Sequence, residues 1–91
     1  MDWRTVVLAF SEDLQTEGGL HGVKDLCNDL LHRFPLETNE EIVSYLSDYV
    51  TVSQSHLKFH SAWAKIPNMR NLADHDEKEI AKLQELIQLL S

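Results

Sequence analysis

TNEEIVSYLSDYVTVSQSHLKFHSAWAK, residues 38–65, carries neither proline nor glycine, and the helix it makes decides the fold. Thr38 followed by Glu41 is a capping box: the hydroxyl caps an orphan amide and the carboxylate can reach back. A helix over 39–65 would run about 40 Å at 1.5 Å per residue, roughly twice the length of either helix before it. Its apolar lining drifts. Ile42, Leu46, Tyr49, Val50 and Leu57 share one face, whereas Val52, Phe59, Trp63 and Ile66 lie on a flank about 80–100° away. Either the helix bends near Thr51-Val52-Ser53, where β-branched residues lower helix preference, or it stays straight and its far end meets a different partner.

Two shorter helices precede it. Asp2 is placed to cap the first, in which Trp3, Val6, Val7, Phe10 and Leu14 recur at helical spacing. Gly18-Gly19 ends it, since glycine takes a left-handed C-terminal conformation without steric cost. The second starts between Leu20 and Gly22. Leu20, Val23, Leu26, Cys27, Leu30, Leu31 and Phe34 line one side, and Pro35 stops it. Two amphipathic helices joined by a glycine turn form an antiparallel hairpin.

Beyond Pro67 the stretch NMRNL reads as a linker, and Asp74 with Glu77 as a second N-terminal box. In the last helix Ile80, Leu83, Ile87 and Leu90 follow the 3-4-3 spacing of a coiled-coil seam. Asp76 breaks the seam one heptad upstream, leaving two heptads where three to four are needed, so an ordinary core-facing helix is the stronger reading. The expectation is an all-α, four-helix bundle forming a single domain over residues 1–91.

Composition narrows the function classes. A chain of 91 residues has a small core, and 43% hydrophobic with 25% charged residues is ordinary for a globular protein. Cys27 is the single cysteine, so neither an internal disulfide nor a thiolate zinc cluster is available. Its leucine neighbours mark a buried thiol, which fits a reducing, cytoplasmic location. The N-terminal MDWRTVVLAF lacks the basic n-region of a secretory signal, and no stretch approaches the ~20 apolar residues of a membrane span. Gly-rich phosphate loops, nucleophile elbows and identifiable acid pairs are all missing from the sequence, and so small a bundle has little room for a substrate pocket. The expectation is a protein that is not an enzyme and needs no cofactor.

His56 and His60 stand one helical turn apart, the spacing of helical zinc ligands. A zinc site needs at least a third protein group, and no carboxylate lies within a turn on either side. Leu57 occupies the position that the glutamate of an HExxH motif would fill. His75 could complete a site only if the fold brought it near. On the wheel the pair shares the side of Ile42, Leu46, Tyr49 and Leu57, so packing is expected rather than metal binding, with a pH-sensitive contact as the lesser alternative.

Charge is unevenly spread. The net charge is −7, yet all fifteen acids lie outside residues 49–73, which carry Lys58, Lys65 and Arg70. This basic belt is too sparse for direct nucleic-acid binding, where phosphate contacts commonly number about six to ten, and the acidic body would repel a polyanion. An acidic protein surface, another copy of this chain included, suits it better. Asp25, Asp29, Glu37, Glu40 and Glu41 are expected to gather into an acidic edge.

The sequence therefore points to a non-enzymatic protein-interaction module, an adaptor or assembly subunit that self-associates through apolar helix faces. The expected interface is Phe59, Trp63, Ile66, Ile80, Leu83, Ile87 and Leu90. The alternative is a small acidic inhibitor or immunity-type protein that occupies the basic, nucleic-acid-binding cleft of a target, an idea resting on fold-level analogy.

Overall fold

The computed structural model describes residues 2–15, 20–32 and 38–91. Among them are four helices and no strand: α1 (Trp3–Leu14), α2 (His21–His32), α3 (Asn39–Ala62) and α4 (Pro67–Leu90). The Gly18-Gly19 turn, Phe34, Pro35 and Glu37 lie outside the described residues. None of the helices is long and apolar enough to cross a membrane.

The caps expected at Asp2 and Thr38 form. Asp2 accepts from the Arg4 amide at 3.5 Å, and Thr38 Oγ1 accepts from the Glu41 amide at 3.2 Å. The Thr38 hydroxyl also donates to Glu41 Oε1 at 3.2 Å, so Glu41 reaches the capping side chain rather than the backbone. α3 runs unbroken through Thr51-Val52-Ser53. There Thr51 donates its hydroxyl to the Ser47 carbonyl and Ser55 to the Thr51 carbonyl, so both hydroxyls bond within the helix itself.

The expectations for residues 63–74 are corrected. α3 ends at Ala62, three residues short of the expected Lys65, and Trp63 is its C-cap. Ile66 is extended (φ −86°, ψ 122°), as a residue before proline must be. Pro67 then opens α4 at a position where its fixed φ suits a helix and its missing N–H costs nothing. NMRNL is thus the first part of α4, and Asp74 is an interior residue rather than a cap.

α4 matches α3 at 24 residues, about 36 Å, and the two pack along each other as a long hairpin. α1 packs on α2, and both pack on α4 more than on α3. The core lies at one end of the hairpin. Ile42, Leu46 and Val50 reach it from the first half of α3, and Ile80, Leu83, Leu86 and Leu90 from the last part of α4. Trp3, Val7, Phe10 and Leu14 of α1 close it together with Leu20 and with Val23, Leu26, Cys27 and Leu30 of α2. The short helices cover only this end. The rest of the hairpin, from about Thr51 to Asp76, projects as a two-helix arm, and the molecule measures 44 × 26 × 22 Å.

Candidate protein-interaction surface

In the body the usual pattern holds, with large apolar residues inside. In the arm it is inverted. The residues turned inward are small, polar or only half-buried: Ser53, His60, Met69, Ala73, Asp76 and Leu57, the last still packing against the edge of the core. The large apolar ones point to solvent, with Val52 at 56%, Phe59 at 57% and Trp63 at 55% exposure, joined by Ile66 and Leu72. A single exposed leucine such as Leu8 on α1 is unremarkable, whereas a contiguous apolar patch marks a contact site. The drift of the α3 lining along the sequence is the trace of this inversion. Leu72 gives no such signal, because NMRNL reads as a linker until α4 is seen to include it.

The seven expected interface residues therefore separate. Phe59, Trp63 and Ile66 lie exposed on the arm. Ile80, Leu83 and Leu90 are buried in the core and Ile87 packs against it, so the α4 seam is filled by the fold itself. The reason lies in Leu86, also fully buried, which widens the apolar arc so that α4 meets α3 and the α1–α2 pair together.

Lys58, Lys65 and Arg70 are all exposed on the arm, which therefore carries positive charge as well as the apolar residues, Lys65 and Arg70 at its tip. On the body, Asp25 is exposed and Asp29 half-buried on α2. Glu40 and Glu41 belong instead to the first turn of α3, where they complement the positive end of the helix. With Ser44, Tyr45 and Asp48 they line an open concavity of about 460 Å³. Asp48, at one side of it, extends the acidic surface along α3 beyond the expected set.

The histidine pair is only partly packed. His56 is exposed, 6.5 Å from the His60 ring, which corrects its expected place on the buried stripe. His60 is half-buried and its Nδ1 meets Asp76 Oδ2 across the hairpin at 2.5 Å. Asp76 breaks the α4 seam because it faces α3 at this point. His75 turns to Glu79 of its own helix, Nε2 to Oε1 at 2.7 Å. Among the described residues no three His, Cys, Asp or Glu side chains are grouped as metal ligands. Glu79 in turn reaches α2 beside Gly22, where a Cβ would stand 2.7 Å from its Oε1. Burial foremost, then Glu79, Tyr45 and Asp25, raises the Tyr49 pKa above its ordinary value. Cys27 is buried, and desolvation pushes its thiol up to about 11, the opposite of what a nucleophile needs.

No protein-family model, curated protein or solved structure matches this chain.

Proposed function

We propose that the chain is a non-enzymatic protein-interaction module, an adaptor or assembly subunit, whose contact surface is the projecting α3–α4 arm. The inverted pattern of the arm carries the reading. Val52, Phe59, Trp63, Ile66 and Leu72 leave a large apolar area in water, while the inward positions hold His60, Ala73 and Asp76 beside the half-buried Leu57 and Met69. More than half of each aromatic's surface stabilises nothing in the monomer. Covering the aromatics on a partner would bury a little over half of the roughly 150–250 Å² an aromatic residue carries, at about 25 cal/mol per Å². Lys65 and Arg70 at the tip favour a partner whose surface is acidic beside an apolar centre.

A photo-reactive residue placed at Phe59 or Trp63 in cells tests this, with Leu8 as an exposed apolar control on the body. Protein adducts are expected from the two arm positions and not from Leu8, and Trp63→Ala should suppress the adduct at Phe59. Equal labelling from Leu8, or none from the arm, would sink the reading.

The acidic-inhibitor alternative draws support from the concave surface carrying Glu40, Glu41 and Asp48. Salt separates the two readings. Binding through acids alone weakens steeply as ionic strength rises, whereas a contact centred on Phe59 and Trp63 persists.

A further inference from the structure

Seven residues of α3 and its C-cap form a continuous stripe on the flank beside the core-facing Ile42, Leu46 and Val50: Glu41, Tyr45, Asp48, Val52, His56, Phe59 and Trp63, with Tyr45 packed against the core. They lie within about 80° of arc at 100° per residue. Their spacing runs four, three, four, four, three, four, and it reads the same in both directions from Val52. The chemistry does not read the same. One end of the stripe is acidic and the other is aromatic, with Lys65 two residues beyond Trp63 at the tip; Lys58 lies about 120° round the helix from the stripe.

From this we infer that the partner of the arm is a second copy of the chain, paired antiparallel along α3 with a twofold axis at Val52. The inference rests on the reading of the arm as a contact surface and names what covers it. In that register each Val52 packs on its counterpart. Phe59 lies over Tyr45 of the other copy, Trp63 over Glu41, and His56 beside Asp48. The tip of each protomer, with Lys65 just beyond Trp63, comes over the acidic base of the other at Glu41. A parallel pairing would instead stack the acidic bases on each other. The antiparallel arrangement is also isologous, so it closes as a dimer and leaves no arm free to propagate a filament. All seven side chains are exposed except Tyr45, which is half-buried, so the stripe needs no rearrangement of the fold to be reached.

The test uses the full chain with single substitutions at exposed positions. Val52→Cys is expected to form a disulfide-linked dimer under mild oxidation, since the axis sets the two thiols face to face. Ala62→Cys, near the tip, should not link to itself, because its opposite number is at the base. Cys27 is buried with a raised thiol pKa and does not compete. Asp48→Lys and His56→Asp should each weaken the dimer by about tenfold in light scattering. Mixing the two variants should restore it, because the lysine introduced in one protomer then faces the aspartate introduced in the other.

A wild-type monomer throughout the micromolar range, or a dimer that links through Ala62→Cys as readily as through Val52→Cys, would overturn the antiparallel pairing. A monomer that still yields adducts from Phe59 to a different protein overturns the second-copy partner and leaves the contact surface standing. A monomer with no adduct removes both.

Discussion

His60 Nδ1 lies 2.5 Å from Asp76 Oδ2 and joins α3 to α4 within the arm, both side chains about four-fifths buried. Hydrogen bonds to a charged group typically contribute about 1.5–3 kcal/mol when partly shielded. Asp76→Asn keeps the shape and removes the charge, so the arm should open more easily by about 1–2 kcal/mol. The body should scarcely notice, because its core lies at the other end of the hairpin. Hydrogen exchange checks this: amides near His60 and Asp76 should exchange about tenfold faster, with those near Leu46 and Leu83 unchanged. Uniform acceleration would show that arm and body open as one unit.

Trp63 and Leu83 test the inverted pattern from opposite sides. Trp63 is 55% exposed and Leu83 fully buried. Leu83→Ala should cost about 2–5 kcal/mol from lost burial and a residual cavity, a large share of the stability of so small a domain. Trp63→Ala should change monomer stability by no more than about 0.5 kcal/mol. Urea titration of each variant, at concentrations where the chain is monomeric, gives the comparison. A loss at Trp63 approaching that at Leu83 would place Trp63 within the packed structure and remove it from the contact surface.

Gly22 sits at the second position of α2, where an added Cβ would stand 2.7 Å from Glu79 Oε1. Two effects oppose each other in Gly22→Ala. Alanine stabilises a helix over glycine by about 1 kcal/mol. The carboxylate must move, loosening its contact with His75 on an adjacent turn, a pair of a kind that contributes about 0.3–0.5 kcal/mol. The displaced atom is the end of a flexible side chain, so the helix term wins and the variant should be more stable by about 0.5 kcal/mol. Gly22→Leu, too large for the same adjustment, should be destabilised. A thermal melt in which alanine lowers stability would show that Glu79 is held rigidly.

Local signals carry most of the fold. The Asp2 and Thr38 caps, the apolar stripes of α1 and α2, and the unbroken run from Asn39 are readable because each depends on residues within one or two turns. Pro67 misleads for a reason equally local: proline ends one helix through its effect on Ile66 and starts the next at its own position, and a linker after Pro67 follows from the first rule alone. The clasp from His60 to Asp76 needs the third dimension. Its two ends sit sixteen residues apart, and only the pairing of α3 with α4 makes a polar residue at each helix's inward position meaningful. The same pairing decides that Ile80, Leu83 and Leu90 face inward while Phe59 and Trp63 face out. Heptad spacing alone fits either arrangement.

Cys27 gives the chain a pH dependence whose sign follows from its burial. Desolvation raises the thiol from 9.0 to about 11 in the folded state, so the folded protein keeps this proton in a range where the unfolded chain releases it. The unfolded state then binds fewer protons, and stability falls as pH rises through that window. The slope from this one group reaches at most about 1.4 kcal/mol per pH unit. Tyr49, raised in the same direction by burial and by neighbouring Glu79, Tyr45 and Asp25, adds to the fall. Cys27→Ala removes the thiol's share and leaves that of Tyr49. Below 9.0 the wild type should be the more stable, since alanine leaves a small void in a fully buried site; between 9.0 and about 11 its advantage should shrink. Urea midpoints measured for both proteins across this range provide the check. Parallel curves would show that the thiol takes no part in the alkaline loss, and that water reaches Cys27 in the folded chain.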